Sequence, residues 1–104
     1  MVREEALQAV ELYVIRDNEN GFAAFAGVEA DMLEMLFVAP SARGKGLGRK
    51  LIEYLVAHRG IRRVDVNEQN TQAVGFYARM GFRIASRDAL DPSGRPYPIL
   101  HLTL

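Results

Sequence analysis

Along the first part of the chain, apolar positions come in short β-type runs divided by turn residues. "LYVIRD" (12–17) is rich in β-formers and runs into "NENG" (18–21), where Gly21 can take the positive φ of a hairpin turn. "GFAAFAGVEA" (21–30) reads as a second strand, and its small residues Ala23, Ala24, Ala26 and Gly27 leave room for something packed against it. "DMLEMLFVA" (31–39) reads as a third strand, apolar on both faces as in the middle of a covered sheet. Pro40 stops it, because proline has no N–H to give the ladder. Ahead of these runs, residues 2–10 have helical composition, with Val2, Ala6, Ala9 and Val10 on one side. That segment is too short to be stable as an isolated helix.

The spacing then changes. Leu47, Leu51, Ile52, Leu55 and Val56 recur at helical intervals, which predicts a helix over 47–59 closed by Gly60. "IRRVDVNE" (61–68) alternates like a strand. Asn70 or Thr71 can cap a second helix that carries Ala73, Phe76, Tyr77 and Met80 on one face and ends at Gly81. "FRIAS" (82–86) and "ILHLTL" (99–104) are strands, separated by a loop over 91–98 that holds Pro92, Gly94, Pro96 and Pro98. The order predicts one α/β (α+β) domain over 1–104, an antiparallel meander followed by a helical crossover to a parallel fourth strand.

Composition narrows the function classes. The 104 residues carry 13 basic and 13 acidic side chains, a formal charge of zero, whereas a protein built to grip duplex DNA has a basic excess. Arg59, Arg62 and Arg63 accordingly read as a solvated face, and no nucleic-acid partner is expected. The absence of cysteine removes disulfides, a thiol nucleophile and thiolate metal sites. The N-terminus lacks a signal-type apolar segment, and no apolar run approaches the ~20 residues of a membrane span. A cytoplasmic protein with no membrane partner and no metal is the expectation.

The chemistry concentrates in "SARGKGLGRKL" (41–51). Glycine costs a helix roughly 1 kcal/mol against alanine, so Gly44, Gly46 and Gly48 at a helix entrance need a reason. A strand, a glycine-rich loop and a helix N-terminus in succession form an anion-binding arrangement. The first-turn N–H groups have no intrahelical partner, and the helix dipole places partial positive charge there. Arg43, Lys45 and Arg49 add charge at the same place. The spacing fits neither the nucleotide-hydrolase loop G-x-x-x-x-G-K-[S/T] nor the dinucleotide fingerprint G-x-G-x-x-G. It does fit R-x-x-G-x-G, read as Arg43, Gly46 and Gly48.

With that reading, "LFVAPSARGKGLGRKLIEYL" resembles the acetyl-CoA pyrophosphate motif of the Gcn5-related N-acetyltransferases, the GNAT family. Downstream, "NTQAVGFYARMGF" (70–82) resembles the family's second signature, N-x-x-A-x-x-F-Y-x-x-x-G-F. The resemblance implies a mostly antiparallel central sheet with helices on its faces and a β-α-β-α acetyl-CoA-binding core. It implies acetyl-CoA as cosubstrate, with the pyrophosphate on the N–H groups of Arg43, Gly44, Lys45, Gly46, Leu47, Gly48 and Arg49. The pantetheine arm would pair with main-chain groups near Leu36, Phe37 and Val38, and the Val38 N–H would hold the thioester carbonyl. Asn70 would bond the pantetheine region, cap its own helix, or do both.

The same resemblance makes Tyr77 the general acid for the departing thiolate, against the alternative of a tyrosine that is simply core. Glu34 is the candidate base. It is a carboxylate inside an apolar strand, expected on the face of Leu36 and Val38, with a raised pKa if dry. His101, Glu68, Asn67 or a chain of waters are alternatives. The acceptor would be a primary amine of a small molecule or a protein. A module that binds acyl-CoA with little turnover is the competing reading. Family members usually begin with a further strand and helices that wall the acceptor side. Most of that wall is absent here, so exposed apolar surface and a homodimer are expected.

Overall fold

The computed structural model describes residues 10–16 and 21–104. The helix expected over 2–10, apart from Val10, and the turn residues 18–20 therefore lie outside the described residues. The chain divides into two compact units, one ending at Ile61 and the other running from Arg62 to Leu104.

In the first unit, β1 (Glu11–Arg16), β2 (Phe22–Glu29) and β3 (Met32–Val38) form an antiparallel meander. A 3₁₀ turn at Pro40–Ala42 and the helix α1 (Leu47–Arg59) follow. α1 packs on β2 and β3. The small side chains expected to make room do so, since Ala24 and Ala26 are fully buried, alongside Val28, Leu33, Leu51, Ile52, Leu55 and Ile61. Ile52 and Leu55 are both 0% exposed, and burial of each contributes about 1.5–3 kcal/mol. Gly60 ends the helix at φ 74°, its N–H on the Leu55 carbonyl. Just before it, Arg59 pairs with Glu11 and donates to the Ala30 carbonyl at 2.8 Å. The last turn of α1 is thereby fastened to both hairpins of the meander.

The β2–β3 register departs from simple alternation. Val28 faces Leu33 and Gly27 faces Met35, so Glu34 is an extra residue on β3, a β-bulge. Leu33, Leu36 and Val38 consequently share the helix-facing side with Val28, Ala26 and Ala24. On the other face of β3, Met35 and Phe37 are exposed and no described residue covers them, which corrects the expectation of a strand enclosed on both sides.

In the second unit, β6 (Ile99–Thr103) lies between β4 (Arg63–Asn67) and β5 (Arg83–Asp88), antiparallel to both. The helix α2 (Thr71–Arg79) packs on β4. Val64, Val66, Leu100 and Leu102 alternate inward on their strands and are buried, as are Tyr77 and Phe82. The 91–98 loop is organised by Asp91, whose carboxylate accepts from the Ser93 and Arg95 N–H groups at 2.9 and 2.8 Å. Among the described residues no helix is long and apolar enough to cross a membrane.

Candidate functional site

The glycine loop joins the end of β3 to the start of α1. Gly44 and Gly46 adopt φ of 82° and 76°, a region that other L-residues enter at a cost, and Gly46 is the N-cap of α1. A Cβ built on either glycine meets nothing within 4 Å. Backbone conformation therefore favours these two glycines, and the space in front of them is open. Gly48 differs, lying in the first turn of α1. No side chain caps the helix, and its first i→i−4 bond runs from the Lys50 N–H to the Gly46 carbonyl at 3.0 Å. The N–H groups of Leu47, Gly48 and Arg49 precede that bond, at the positive end of the helix dipole.

The basic collar is unequal. Arg43 donates from Nε to the Val38 carbonyl at 3.3 Å, tying the loop back to the strand. Arg49 pairs with Glu53 one turn on at 3.0 Å, an exposed contact of a few tenths of a kcal/mol that an anion can displace. Lys45 is exposed and has no ion pair among the described residues.

On β3 the ladder separates residues that the sequence reading grouped together. The Ala39 N–H donates to the Ala23 carbonyl at 2.9 Å, and antiparallel pairing alternates. Phe37 therefore turns its main-chain groups toward Phe25 on β2, whereas Leu36 and Val38 turn theirs away from β2. Glu34 was expected on the face of Leu36 and Val38. The bulge breaks that phase, and Glu34 is exposed instead of enclosed. Bulges frequently re-aim a side chain beside an active site.

The second unit holds Asn70 and Tyr77 on α2. Asn70 is the N-cap, its Oδ1 accepting from the Ala73 N–H at 3.1 Å. Its side-chain NH₂ has no partner among the described residues. Tyr77 is 7% exposed, edge-on to Phe76 and Phe82 at 5.0 and 5.6 Å between ring centroids. Its hydroxyl has no hydrogen-bond partner among the described residues, which is unusual for a buried phenol. Burial pushes its pKa up to about 12.

The alternative bases are all engaged. Arg87 clasps Glu68 through two bonds of 2.8 and 3.0 Å, which lowers the carboxyl pKa and its basicity. Asn67 accepts from the Gln69 N–H. His101 has Asp65 on Nδ1 at 2.7 Å and Asp88 on Nε2 at 2.9 Å, so both ring nitrogens face acceptors and its pKa is raised. A carboxylate at each nitrogen favours the protonated ring and leaves neither nitrogen open to an incoming amine. Asp65 and Asp88 escaped the sequence reading because they come from strands far apart in the chain, and no local pattern joins them to His101.

This strand–loop–helix geometry has a counterpart among known proteins. The family model described as "Acetyltransferase (GNAT) domain" matches residues 8–84. The chain belongs to the GNAT family. The peptidyl-lysine N-acetyltransferase YjaB of Salmonella typhimurium is 41% identical over 87 residues, covering 84% of this chain and 58% of that protein. The solution structure of apo YjaB from Escherichia coli superposes with a TM-score of 0.80 at 37% identity, over 88% of this chain and 63% of that one. The spermidine/spermine N-acetyltransferase SpeG of Vibrio cholerae shares the fold, with a TM-score of 0.70 at 20% identity over 99% of this chain and 69% of that one. The chain thus spans less than two thirds of the curated relative's length. As a GNAT fold it is mixed α/β with mostly antiparallel strands, as expected.

Proposed function

We propose that the protein is an acetyl-CoA-dependent N-acetyltransferase that passes the acetyl group directly to a primary amine, in the cytoplasm. The side-chain amine of a protein lysine is the first candidate, on the strength of the relatives named peptidyl-lysine N-acetyltransferases. One observation carries the reading: the open loop with Gly44 and Gly46 at positive φ delivers the uncapped N–H groups of α1 behind a strand that ends with outward main-chain groups. The buried, unpartnered hydroxyl of Tyr77 also suits a bound thioester.

Acetyl-CoA supplies an activated acyl carbonyl to the amine. The N–H groups from Arg43 to Arg49 take the diphosphate charge, helped by Lys45 and by an Arg49 released from Glu53. Leu36 and Val38 pair with the pantetheine amides through their outward main-chain groups, and the Val38 N–H steadies the carbonyl oxygen as it gains charge. Phe37, with its main chain given to β2, has no such role. Glu34 removes a proton from the incoming ammonium, which has no lone pair until it is deprotonated. The Asn70 NH₂ donates to the pantetheine arm. Tyr77 keeps its proton at neutral pH and holds it for the departing thiolate.

A second reading, an acyl-CoA-binding module with little turnover, draws on the same Tyr77. At about 12 its pKa lies well above the ~8.5 of an ordinary thiol, so the proton moves uphill unless the bound coenzyme changes that environment. Calorimetric titration with acetyl-CoA, followed by a thiol-release assay on lysine peptides, terminal-amine peptides and small amines, tests both. Binding and thiol release are expected, with release reduced in Glu34→Gln. Binding without release from any amine supports the module, and no binding overturns both readings.

A further inference from the structure

We propose that the open face of the β1–β2–β3 sheet seats a second copy of this chain, sheet against sheet. The register builds the surface. Leu12, Gly27 and Met35 form one cross-strand row, and Val14, Phe25 and Phe37 form the next, on the side away from α1. The Met35, Val10 and Leu12 side chains close over Gly27, where an added Cβ would come within 3.0, 3.4 and 3.6 Å of them. Phe25 stacks on Phe37 at 5.2 Å, and Phe22 extends the surface beneath the Arg16 guanidinium. Leu12, Phe22, Met35, Val14, Phe37 and Val10 are between 65% and 39% exposed.

About 500 Å² of apolar side chain lies open here, toward the upper end of the largest patches that monomers carry. Two copies burying it would remove about 1,000 Å² before any rim contact, the area at which specific association begins. The two central rows contain no charge, so burying them strands no charged group at the centre of the contact. The face is part of a sheet, and sheets pack face to face at about 10 Å with interdigitating side chains. A lipid surface is a poorer match, because the central rows carry no basic side chain, Arg16 lies only at their edge beside Phe22, and membrane-binding faces are rich in Lys and Arg. This inference goes beyond the acetyl-transfer reading and stands independently of it.

Light scattering on the full chain across the micromolar range is expected to give twice the chain mass of 11.6 kDa. Leu12→Lys/Val14→Lys, at exposed positions, is expected to halve that mass while the thermal transition stays cooperative. The chain has no cysteine, so Val14→Cys is a lone thiol at the middle of the patch. A short bis-maleimide should then link copies in Val14→Cys and not in Gln72→Cys on α2. A monomeric wild type overturns the proposal. So does a dimer that survives Leu12→Lys/Val14→Lys, or one in which Gln72→Cys cross-links as well as Val14→Cys.

Discussion

The Nδ1 of His101 lies 2.7 Å from the Asp65 carboxylate of the neighbouring strand. Asp88 meets the other ring nitrogen at 2.9 Å, so the His101 ring bridges β4 and β5 across β6. Asp88 first and Asp65 second raise the His101 pKa above its ordinary value. A group whose folded pKa exceeds its unfolded one stabilises fully below the unfolded value, near 6.5. That contribution fades as pH rises through the folded value. The urea-unfolding free energy of the wild type should therefore fall relative to that of His101→Gln as pH rises above about 6.5, by about 1 kcal/mol or less for so exposed a cluster. Parallel pH profiles for the two proteins would reject the clamp.

Gly46 separates conformation from ligand access. Gly46→Ala should cost about 1–2 kcal/mol in denaturant unfolding through its φ of 76°, because nothing crowds the new Cβ. Gly46→Asn, which tolerates the left-handed region, should recover most of that stability. If the diphosphate needs the bare backbone, Gly46→Asn will still bind acetyl-CoA at least tenfold more weakly by calorimetry. Unchanged affinity would make this glycine purely a matter of backbone shape.

Asn70 can be divided in the same way. Asn70→Ala removes the Oδ1 cap of α2 and should cost about 1 kcal/mol. Asn70→Asp keeps an oxygen for the Ala73 N–H and loses only the NH₂, so its stability should stay near wild type. A raised KM for acetyl-CoA in Asn70→Asp would mark a coenzyme contact, and an unchanged KM would leave Asn70 a cap alone.

Tyr77→Phe removes a hydroxyl that has no protein partner. Unfolding at neutral pH should show no loss of stability and a gain of up to about 1 kcal/mol, since an unsatisfied buried polar group is lost. If the phenol is the proton donor, kcat should drop roughly 100-fold or more with little change in acetyl-CoA affinity. In the wild type, burial raises this pKa to about 12, so the folded state holds its proton longer than the unfolded chain. Stability should fall between about pH 10 and pH 12 by an increment that Tyr77→Phe lacks.

Features set by near neighbours in the chain could be read from the sequence. The α1 stripe, the Gly60 stop, the Asn70 cap and the six strand positions follow from periodicity and punctuation, and they match within two residues. The glycine loop between β3 and α1 was legible for the same reason. What escaped depends on pairing across the sheet. Whether Glu34 follows Leu36 and Val38 is decided by the partners β2 offers, and Val28 and Gly27 take Leu33 and Met35, leaving Glu34 over. The open face of β3 was hidden likewise, because an apolar residue on a strand does not announce what covers it.

That leftover residue has a consequence for the strand as a piece of construction. Were Glu34 deleted, Leu33, Leu36 and Val38 would keep their places against α1, and Met35 and Phe37 would keep theirs on the far side. The ladder would become regular without moving a single apolar side chain to the wrong face. β3 thus carries one amino acid more than its own packing uses, and that amino acid is an acid.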